Sequence, residues 1–456
     1  MEDLFAQAAS VAARYRREVG ELAVAQGVDA AIVRAGFACE LPDDGVAPEA
    51  VLDALVAAAT PGLVATVGPR YFGFVIGGAL PAASAAEIVA AGWDQNAFSN
   101  ALSPAAAAAE DVAGTWLKEL LRIPQTASVG FVTGGQAANT VGLAAARHAV
   151  LRDAGWDVAR DGLNGAPRLR VVASEERHAT IDRSVRLLGI GTSAIEPVAA
   201  TANGAMDIAA LQRVLAIDAS RPTIVCLQAG NVNTGACDDL RRGCELARAP
   251  GAWVHVDGAF GLWAAASPAL RHLVDGIELA DSWACDGHKW LNVPNDSGYA
   301  FCAHPDVHTT AVSYSAAYLV GSGTGAPGTL GDLTLESSRH ARGFATWAAL
   351  QELGRNGVAD LVDRCCAHAR RFAHELEQTG AEIANDVMLN QVLVSFGDDA
   401  RTSAVIDAVQ RDGTCWMGGT VWRGRRYMRI AVSNWATTTA DVDRSVAAIT
   451  RLAAAC

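Results

Sequence analysis

The stretch from Asp281 to Phe301, DSWACDGHKWLNVPNDSGYAF, is mostly uncharged and apolar, yet it contains one lysine, Lys289. A lysine can lay its stem along an apolar surface and keep its ammonium group in water. A lysine held in a dry pocket can instead act as a nucleophile that forms a Schiff base. Because most lysine side chains are exposed in proteins, the stretch alone favours the first interpretation. The rest of the chain has to decide between the two.

The composition is typical of a packed enzyme with an acidic surface. The chain has 456 residues, of which 51% are hydrophobic and 19% charged, so we expect two or three packed units. A formal net charge of -13 disfavours nucleic acid and anionic membrane surfaces as partners. The ten cysteines form no C-x-x-C pair, which disfavours a metal centre and favours a reducing compartment.

Two segments bear on where the protein resides. The N-terminal segment MEDLFAQAASVAARYRREVGELA has early acidic residues and no basic region, so it does not resemble a signal peptide. The longest apolar segment begins at Phe72 but contains Pro81 and Glu87, whereas a membrane span needs roughly 20 uninterrupted apolar residues. We therefore expect a cytoplasmic protein that does not cross a membrane.

The apolar pattern divides the chain into three segments. Residues 1–100 are predicted to form an N-terminal helical segment. Residues 101–345 alternate short β-branched strands with helices, which predicts a mainly parallel sheet covered on both faces. Residues 346–456 combine long helical patterns with strand-like pieces and predict a smaller α+β domain. The predicted fold class is therefore α/β.

Four motifs follow predicted strands, at the edge where open α/β sheets bind their ligands. In Val132–Leu143, VTGGQAANTVGL, a glycine turn precedes a helix whose first amides suit a phosphate. This motif has neither the glycine pattern of a dinucleotide site nor the lysine of a P-loop, so neither NAD nor ATP is indicated. The other three motifs contribute His178, Asp257 and Lys289. A lone histidine is typical of a capping residue, whereas a carboxylate in a dry region needs a cationic partner.

A phosphate cradle, a stacking ring, a buried carboxylate and a buried lysine are the parts that a pyridoxal 5′-phosphate enzyme requires. The segments HVDGAFG and DSWACDGHKWLNVPNDSG, with VTGGQAAN, AGNVNTGACDDL and MRIAVSNW, resemble the group II pyridoxal-dependent amino-acid decarboxylases. That family includes the aromatic-amino-acid, glutamate and tyrosine decarboxylases. The resemblance extends over most of the chain. It implies fold type I, the aspartate-aminotransferase architecture, and a homodimer to whose interface residues 1–100 would contribute.

The resemblance also implies catalytic roles, position by position. Lys289 would form the Schiff base with the cofactor, and Asp257 would pair with the ring nitrogen. His178 would stack on one face of the ring and Ala259 would pack on the other. The lysine of the opening stretch is therefore expected to be buried because it is bound to the cofactor.

Further residues are implied to bind phosphate and substrate. The predicted phosphate contacts are the amides of Gly135 and Gln136, with His288 and Asp286 beside them. The resemblance implies that Phe74 and Val75 contact the substrate. Arg429 is a candidate anchor for the substrate carboxylate, because a guanidinium group can bind a carboxylate with two hydrogen bonds; the alternative is that its basic run WRGRRYMR forms a solvated edge with one structural salt bridge. The segment from Phe74 is apolar, which favours an aromatic or aliphatic amino acid over glutamate. Where relatives often have two threonines, AGNVNTG has Asn231 and Val232.

The source of the proton that replaces the carboxylate stays open. Many relatives use a tyrosine on a mobile loop, and a phenylalanine there is associated with aldehyde formation. The predicted loop here, Val320–Leu335, has neither, so Tyr314, Tyr318 and His178 are the candidate donors. The leading prediction is decarboxylation of an L-amino acid to an amine. The alternatives are an aldehyde synthase, a carbon–carbon lyase and a cofactor-binding protein without turnover.

Overall fold

The computed structural model describes residues 1–25, 27–314 and 330–456, so Tyr318 and positions 320–329 of the predicted loop lie outside the described residues. Its helices in chain order are α1 (Glu2–Glu18), α2 (Ala30–Phe37), α3 (Pro48–Ala59), α4 (Pro81–Trp93), α5 (Pro104–Leu120), α6 (Gly135–Asp153), α7 (Val158–Asp161), α8 (Ala179–Leu187), α9 (Ile208–Ala216), α10 (Leu240–Arg248), α11 (Pro305–Val312), α12 (Gly343–Gln378), α13 (Asp399–Asp412) and α14 (Thr439–Ala455). The strands are β1 (Ser128–Val132), β2 (Arg170–Ser174), β3 (Ile195–Val198), β4 (Thr223–Gln228), β5 (Trp253–Asp257), β6 (Ser282–Asp286), β7 (Gly298–Cys302), β8 (Glu382–Ile383), β9 (Gln391–Ser395), β10 (Gly418–Trp422) and β11 (Arg425–Ala431).

The described chain divides into two compact units. The first comprises residues 1–78, 368–384 and 392–456, and the second comprises residues 79–367 and 385–391. The first unit contains α1–α3, α13, α14 and a sheet with the strand order β10-β11-β9-β8. Helices α1–α3 have no buried residue in the described chain. Among the described residues, no helix is long and apolar enough to cross a lipid bilayer.

The second unit is built on a seven-stranded sheet with the order β1-β7-β6-β5-β4-β2-β3. Strands β3, β2, β4, β5 and β6 run parallel to one another, as the alternating pattern predicts. Strand β7 lies between β1 and β6 and is antiparallel to both. The predicted class, a mainly parallel α/β sheet with a smaller α+β part, is confirmed.

The central strands and α6 position the polar residues of this unit. Every residue of β4, β5 and β6 is buried, which is expected for parallel strands covered on both faces. Helix α6 packs on these strands through small residues such as Gly142 and Ala145. Because parallel strands end at one edge, Gln228, Asp257 and Asp286 close β4, β5 and β6 at the same edge of the sheet. Gln228 pairs in register with Asp257, whereas Asp286 lies two residues beyond Ala284, the register partner of Asp257.

Candidate active site

A cavity of about 330 Å³ lies at this edge of the seven-stranded sheet. Its volume is at the lower end of the range of small-molecule sites, about 300–1,000 Å³. The carboxyl ends of β4–β6 with the loops that follow them, the glycine turn and the start of α6, and the start of α8 supply its wall. Its described lining residues are Thr133, Gly134, Gly135, Gln136, Asn139, His178, Thr180, Gln228, Gly230, Val232, Asp257, Ala259, Phe260, Asp286, His288 and Lys289.

Lys289 follows β6 and lines the cavity. Its Nζ atom lies 2.9 Å from Oδ2 of Asp286, and its side chain keeps 20% of its exposure, so it is partly buried rather than fully enclosed. The chain has just one other lysine, Lys118. That residue donates to the carbonyl oxygens of Gln125 and Ala127 at 2.8 and 3.0 Å. The two lysines of the chain therefore have clearly different environments, and Lys289 is the one at the cavity.

The glycine turn before α6 forms one wall of the cavity. A Cβ atom on Gly134 would lie 2.7 Å from Cε1 of His288, so a side chain there would displace the histidine. The N–H of Gly135 donates to Oδ1 of Asp286. The next amide in the first turn of α6, that of Gln136, has no hydrogen-bond partner within the described part of the chain. A helix N-terminus with a free amide is suited to bind a phosphate.

Asp257 ends β5 and is 5% exposed. Oδ2 accepts the side-chain amide of Asn139 at 3.1 Å and the hydroxyl of Thr180 at 3.4 Å. Oδ1 accepts the N–H of Ala259 at 3.3 Å. All three donors are neutral, and no ion pair with Asp257 occurs among the described residues. A buried carboxylate of this kind requires a cationic partner, which a protonated ring nitrogen in the cavity would supply.

Two histidines, His178 and His288, line the cavity, and the Nδ1 atom of each accepts a backbone N–H. His178 caps α8, where its Nδ1 accepts the N–H of Thr180 at 3.3 Å. Burial lowers the pKa of His288, so its ring is neutral near pH 7. Its Nδ1 accepts the N–H of Ser297 at 3.2 Å, which leaves the proton on Nε2. That nitrogen is 3.5 Å from Oδ1 of Asp286, on the side of the glycine turn.

The structure therefore brings together all seven residues that the sequence predicts for the cofactor: Gly135, Gln136, His178, Asp257, Ala259, His288 and Lys289. The three predicted substrate residues belong to the first unit, whereas the described lining of the cavity comes from the second. Phe74 is 62% exposed and stacks on Trp416 at 5.5 Å. Val75 is buried, and Arg429 lies in β11, where burial lowers the pKa of its guanidinium group. Their predicted role stays a prediction.

Sequence reasoning missed Asn139, Thr180 and Gln228. The signal for Asn139 is its spacing, because it follows Gly135 by four residues and so lies on the same face of α6. Gln228 is the polar end of the apolar strand TIVCLQ and pairs in register with Asp257. Within the described chain, its side-chain amide has no hydrogen-bond partner and lines the cavity.

Comparison with known proteins identifies the family. Residues 34–397 match the pyridoxal-dependent decarboxylase conserved domain. Tryptophan decarboxylase 1 of Oryza sativa subsp. japonica is 28% identical over 406 residues, which cover 82% of this chain and 78% of the relative. The aromatic-L-amino-acid decarboxylase of Bacillus atrophaeus is 26% identical over 384 residues, covering 83% and 76%.

A solved structure with the same fold and one further relative are also similar to this chain. The crystal structure of Oryza sativa TDC with PLP and tryptamine matches with a TM-score of 0.92 and 23% identity, covering 100% of this chain and 97% of that one. A phenylacetaldehyde synthase of Arabidopsis thaliana is 25% identical over 413 residues, covering 86% and 83%. The chain belongs to the pyridoxal-dependent decarboxylase family, as an amino-acid decarboxylase whose cofactor is pyridoxal 5′-phosphate.

Proposed function

We propose that Lys289 binds the cofactor covalently and that Asp257 holds the proton on its ring nitrogen. The observation that carries this assignment is the buried carboxylate of Asp257, which has three neutral donors and shares one cavity with a lysine. When bound, pyridoxal 5′-phosphate supplies an electron sink for the substrate α-carbon. The carboxylate of Asp257 sustains that capacity because its negative charge favours a protonated nitrogen opposite it.

The glycine turn is the proposed phosphate site. The N–H of Gln136 and the dipole of α6 favour an anion there. His288 supports it with a neutral ring whose Nε2–H faces the turn. Gly135 is the second proposed amide donor, and in this structure its N–H donates to Asp286. His178 and Ala259 are the proposed contacts on the two faces of the ring.

The proposed substrate is an L-amino acid with an aromatic or apolar side chain. Val232 and Phe260 give the cavity an apolar wall, and Lys289 is the one fixed cation among its described lining residues. A side-chain carboxylate would therefore have no dedicated partner in that lining. The relatives named for tryptophan and for aromatic amino acids support the same class. Phe74, Val75 and Arg429 are proposed as substrate contacts.

We also propose that the protein is a cytoplasmic homodimer. Helices α1–α3 and their connections expose large apolar side chains that a soluble monomer would normally bury, and these include Phe5, Ile32, Phe37, Leu41 and Val51. Such a surface on residues 1–100 supports a second copy as its partner. The cytoplasmic location is supported by the cysteines, because no disulfide joins any of them in the described part of the chain.

Aldehyde synthesis is the second candidate, because a phenylacetaldehyde synthase is among the relatives. The candidate proton donor Tyr314 is 42% exposed and its hydroxyl lies 2.7 Å from Oγ of Ser337. His178 lines the cavity and is the better placed of the two described candidates. Decarboxylation to the amine therefore stays the leading proposal, with His178 as its proposed donor.

A substrate screen tests these proposals together. The cofactor-loaded protein would receive aromatic, aliphatic and acidic L-amino acids while carbon dioxide, ammonia, hydrogen peroxide and oxygen are followed. Carbon dioxide and an amine from aromatic or aliphatic substrates, without ammonia, are the expected result. Carbon dioxide with ammonia, peroxide and oxygen consumption would identify an aldehyde synthase instead. Turnover confined to glutamate or aspartate would contradict the proposed substrate class.

A further inference from the structure

Behind the cavity, a chain of four hydrogen bonds runs through the protein interior and ends at Asp257. Nε1 of Trp253 lies 2.9 Å from Oγ of Ser282, which lies 2.9 Å from Nδ1 of His255. Nε2 of His255 is 2.8 Å from Oδ1 of Asn139, and Nδ2 of Asn139 is 3.1 Å from Oδ2 of Asp257. None of the five side chains is more than 6% exposed.

The strand geometry explains why these residues meet. Trp253, His255 and Asp257 alternate along β5, so all three side chains point to the same face of the sheet. Ser282 is the register partner of His255 on β6 and shares that face. Helix α6 covers this face and contributes Asn139 from its second turn. The relay is therefore confined to the layer between the sheet and α6.

The direction of each bond follows from the chemistry of the two ends. The indole N–H of Trp253 can only donate, and the carboxylate of Asp257 can only accept. Asn139 must therefore direct its NH₂ group at Asp257, which leaves its oxygen to accept from Nε2–H of His255. Nδ1 of His255 then accepts the hydroxyl of Ser282. One tautomer of His255 satisfies every partner, and the four bonds all point towards Asp257.

Two observations support a neutral, fixed ring at His255. Burial lowers its pKa to about 4, against the opposing attraction of the Asp257 charge, so the ring carries one proton near pH 7. A Cβ atom on Gly142 would lie 2.6 Å from Cε1 and 2.7 Å from Nδ1 of the ring. The ring thus occupies the space that a side chain on α6 would take. It cannot shift far without breaking the bond to Asn139.

We propose that His255 is a positioning residue that sets the orientation of the Asn139 amide and so keeps a hydrogen-bond donor directed at the carboxylate of Asp257, opposite the cofactor nitrogen. This proposal rests on the proposed role of Asp257. If the Asn139 amide were flipped, its oxygen would face the negatively charged carboxylate of Asp257. The hydrogen bonds of Asn139 with Asp257 and with His255 would both be lost. His255 does not line the cavity, so its effect passes through Asn139.

The first test reads the histidine itself, without the cofactor. In protein labelled with ¹⁵N-histidine, we expect His255 to give the signals of a ring protonated at Nε2 and unprotonated at Nδ1. The Asn139→Ala variant should shift the Nε2 signal, because its acceptor is lost. A His255 protonated at Nδ1 would overturn the direction assigned to the relay.

The second test reads the ring nitrogen of bound cofactor labelled with ¹⁵N. His255→Leu should move that signal towards the unprotonated value and weaken cofactor binding by about tenfold or more. His255→Gln should restore the wild-type signal, because its amide can still donate to Asn139. Asn139→Ala should reproduce the leucine variant, and it gives a second route if His255→Leu fails to fold.

Two controls separate the proposals. His308 is another fully buried histidine, bonded to Ser128 and the carbonyl of Leu333. His308→Leu should lower stability and leave the ring-nitrogen signal unchanged. If Asp257→Asn does not move the signal, the proposed function of Asp257 fails. If Asp257→Asn moves it while His255→Leu and Asn139→Ala do not, Asp257 keeps its role and the relay is overturned.

Discussion

The Nζ atom of Lys289 lies 2.9 Å from Oδ2 of Asp286, and the other oxygen of that carboxylate accepts the N–H of Gly135. One buried carboxylate thus joins the lysine after β6 to the first turn of α6. The two parts come from distant positions in the chain. Asp286 places the amine beside the proposed phosphate site, and it compensates the positive end of the helix dipole.

The two lysines of the chain allow a direct test of the covalent site. Lys289→Ala should abolish covalent attachment of the cofactor and lower activity on the order of 10³-fold or more, because no second amine can replace it. Borohydride reduction followed by peptide mass mapping measures the attachment. Lys118→Ala is the matched control, and it should keep the attachment while losing on the order of 1 kcal/mol of stability. Label on Lys118 in the wild type would contradict the assignment.

The ion pair between Glu110 and Arg339 is a stability determinant. The guanidinium group contacts both carboxylate oxygens at 2.7 Å, and both side chains are almost fully buried. Glu110→Ala should cost about 3–5 kcal/mol, because it leaves an unpaired buried cation. Urea unfolding measures the loss. The double variant Glu110→Leu with Arg339→Met should recover most of it, and a single variant that costs under about 1 kcal/mol would contradict the prediction.

Acid should destabilise the fold through its buried histidines. Burial lowers the pKa of both His255 and His308 to about 4, whereas each titrates near 6.5 when unfolded. Between those two pKa values the unfolded state binds more protons than the folded state. The contribution of each histidine to the free energy of unfolding is therefore complete above pH 6.5 and decreases as the pH falls towards 4. Each histidine contributes up to about 3 kcal/mol of this loss.

The pH dependence of the unfolding free energy measures this effect. His308→Asn should reduce the slope between pH 4 and 6.5 relative to the wild type, because one proton-binding difference is removed. Equal slopes in the wild type and His308→Asn would show that this ring does not titrate as described.

Gly142 is predicted to be essential for the packing of α6. Alanine there would place its Cβ 2.6 Å from the buried ring of His255, and it should cost about 1–3 kcal/mol. Gly36→Ala in α2 is the control, because its nearest contact would be 3.5 Å from Ala58 and helix propensity favours alanine. Thermal unfolding compares the two variants. If the Gly142→Ala protein were as stable as the wild type, the imidazole of His255 would have to move aside without a cost in stability, which would contradict the prediction.

The proposed dimer can be tested at α2. Ile32 and Phe37 are exposed by 64% and 49% in the single chain. If a second copy covers this surface, Ile32→Glu with Phe37→Glu should shift the sedimentation coefficient towards that of a monomer. Leu187→Glu, at an exposed position of α8, is the control. A wild-type monomer at micromolar concentration would refute the dimer.

The sequence predicts which residues belong to the site better than it predicts which side chains contact them. Asp257 and Lys289 are predictable because one ends and the other follows a strand of a parallel sheet, and such strands end at one edge. The contact of His255 with Ser282 depends on the register of β5 against β6, which the apolar runs do not specify. The same limit applies to β7, since GYAFC predicts a buried strand but not its antiparallel direction. The three-segment division of the chain stays a prediction.

The antiparallel strand β7 also sets the order in which the site is completed during synthesis. Within the described part of the chain, strand β1 lies at the edge of the sheet and pairs with β7 alone. The hydroxyl of Ser128 lies 3.2 Å from the carbonyl oxygen of Cys302, which is 174 residues later in the chain. At about 5–20 residues per second, a nascent chain makes that interval in roughly ten to thirty seconds. Until then β1 has no partner strand in the sheet. We therefore expect newly made chains to acquire cofactor only after β7 has emerged.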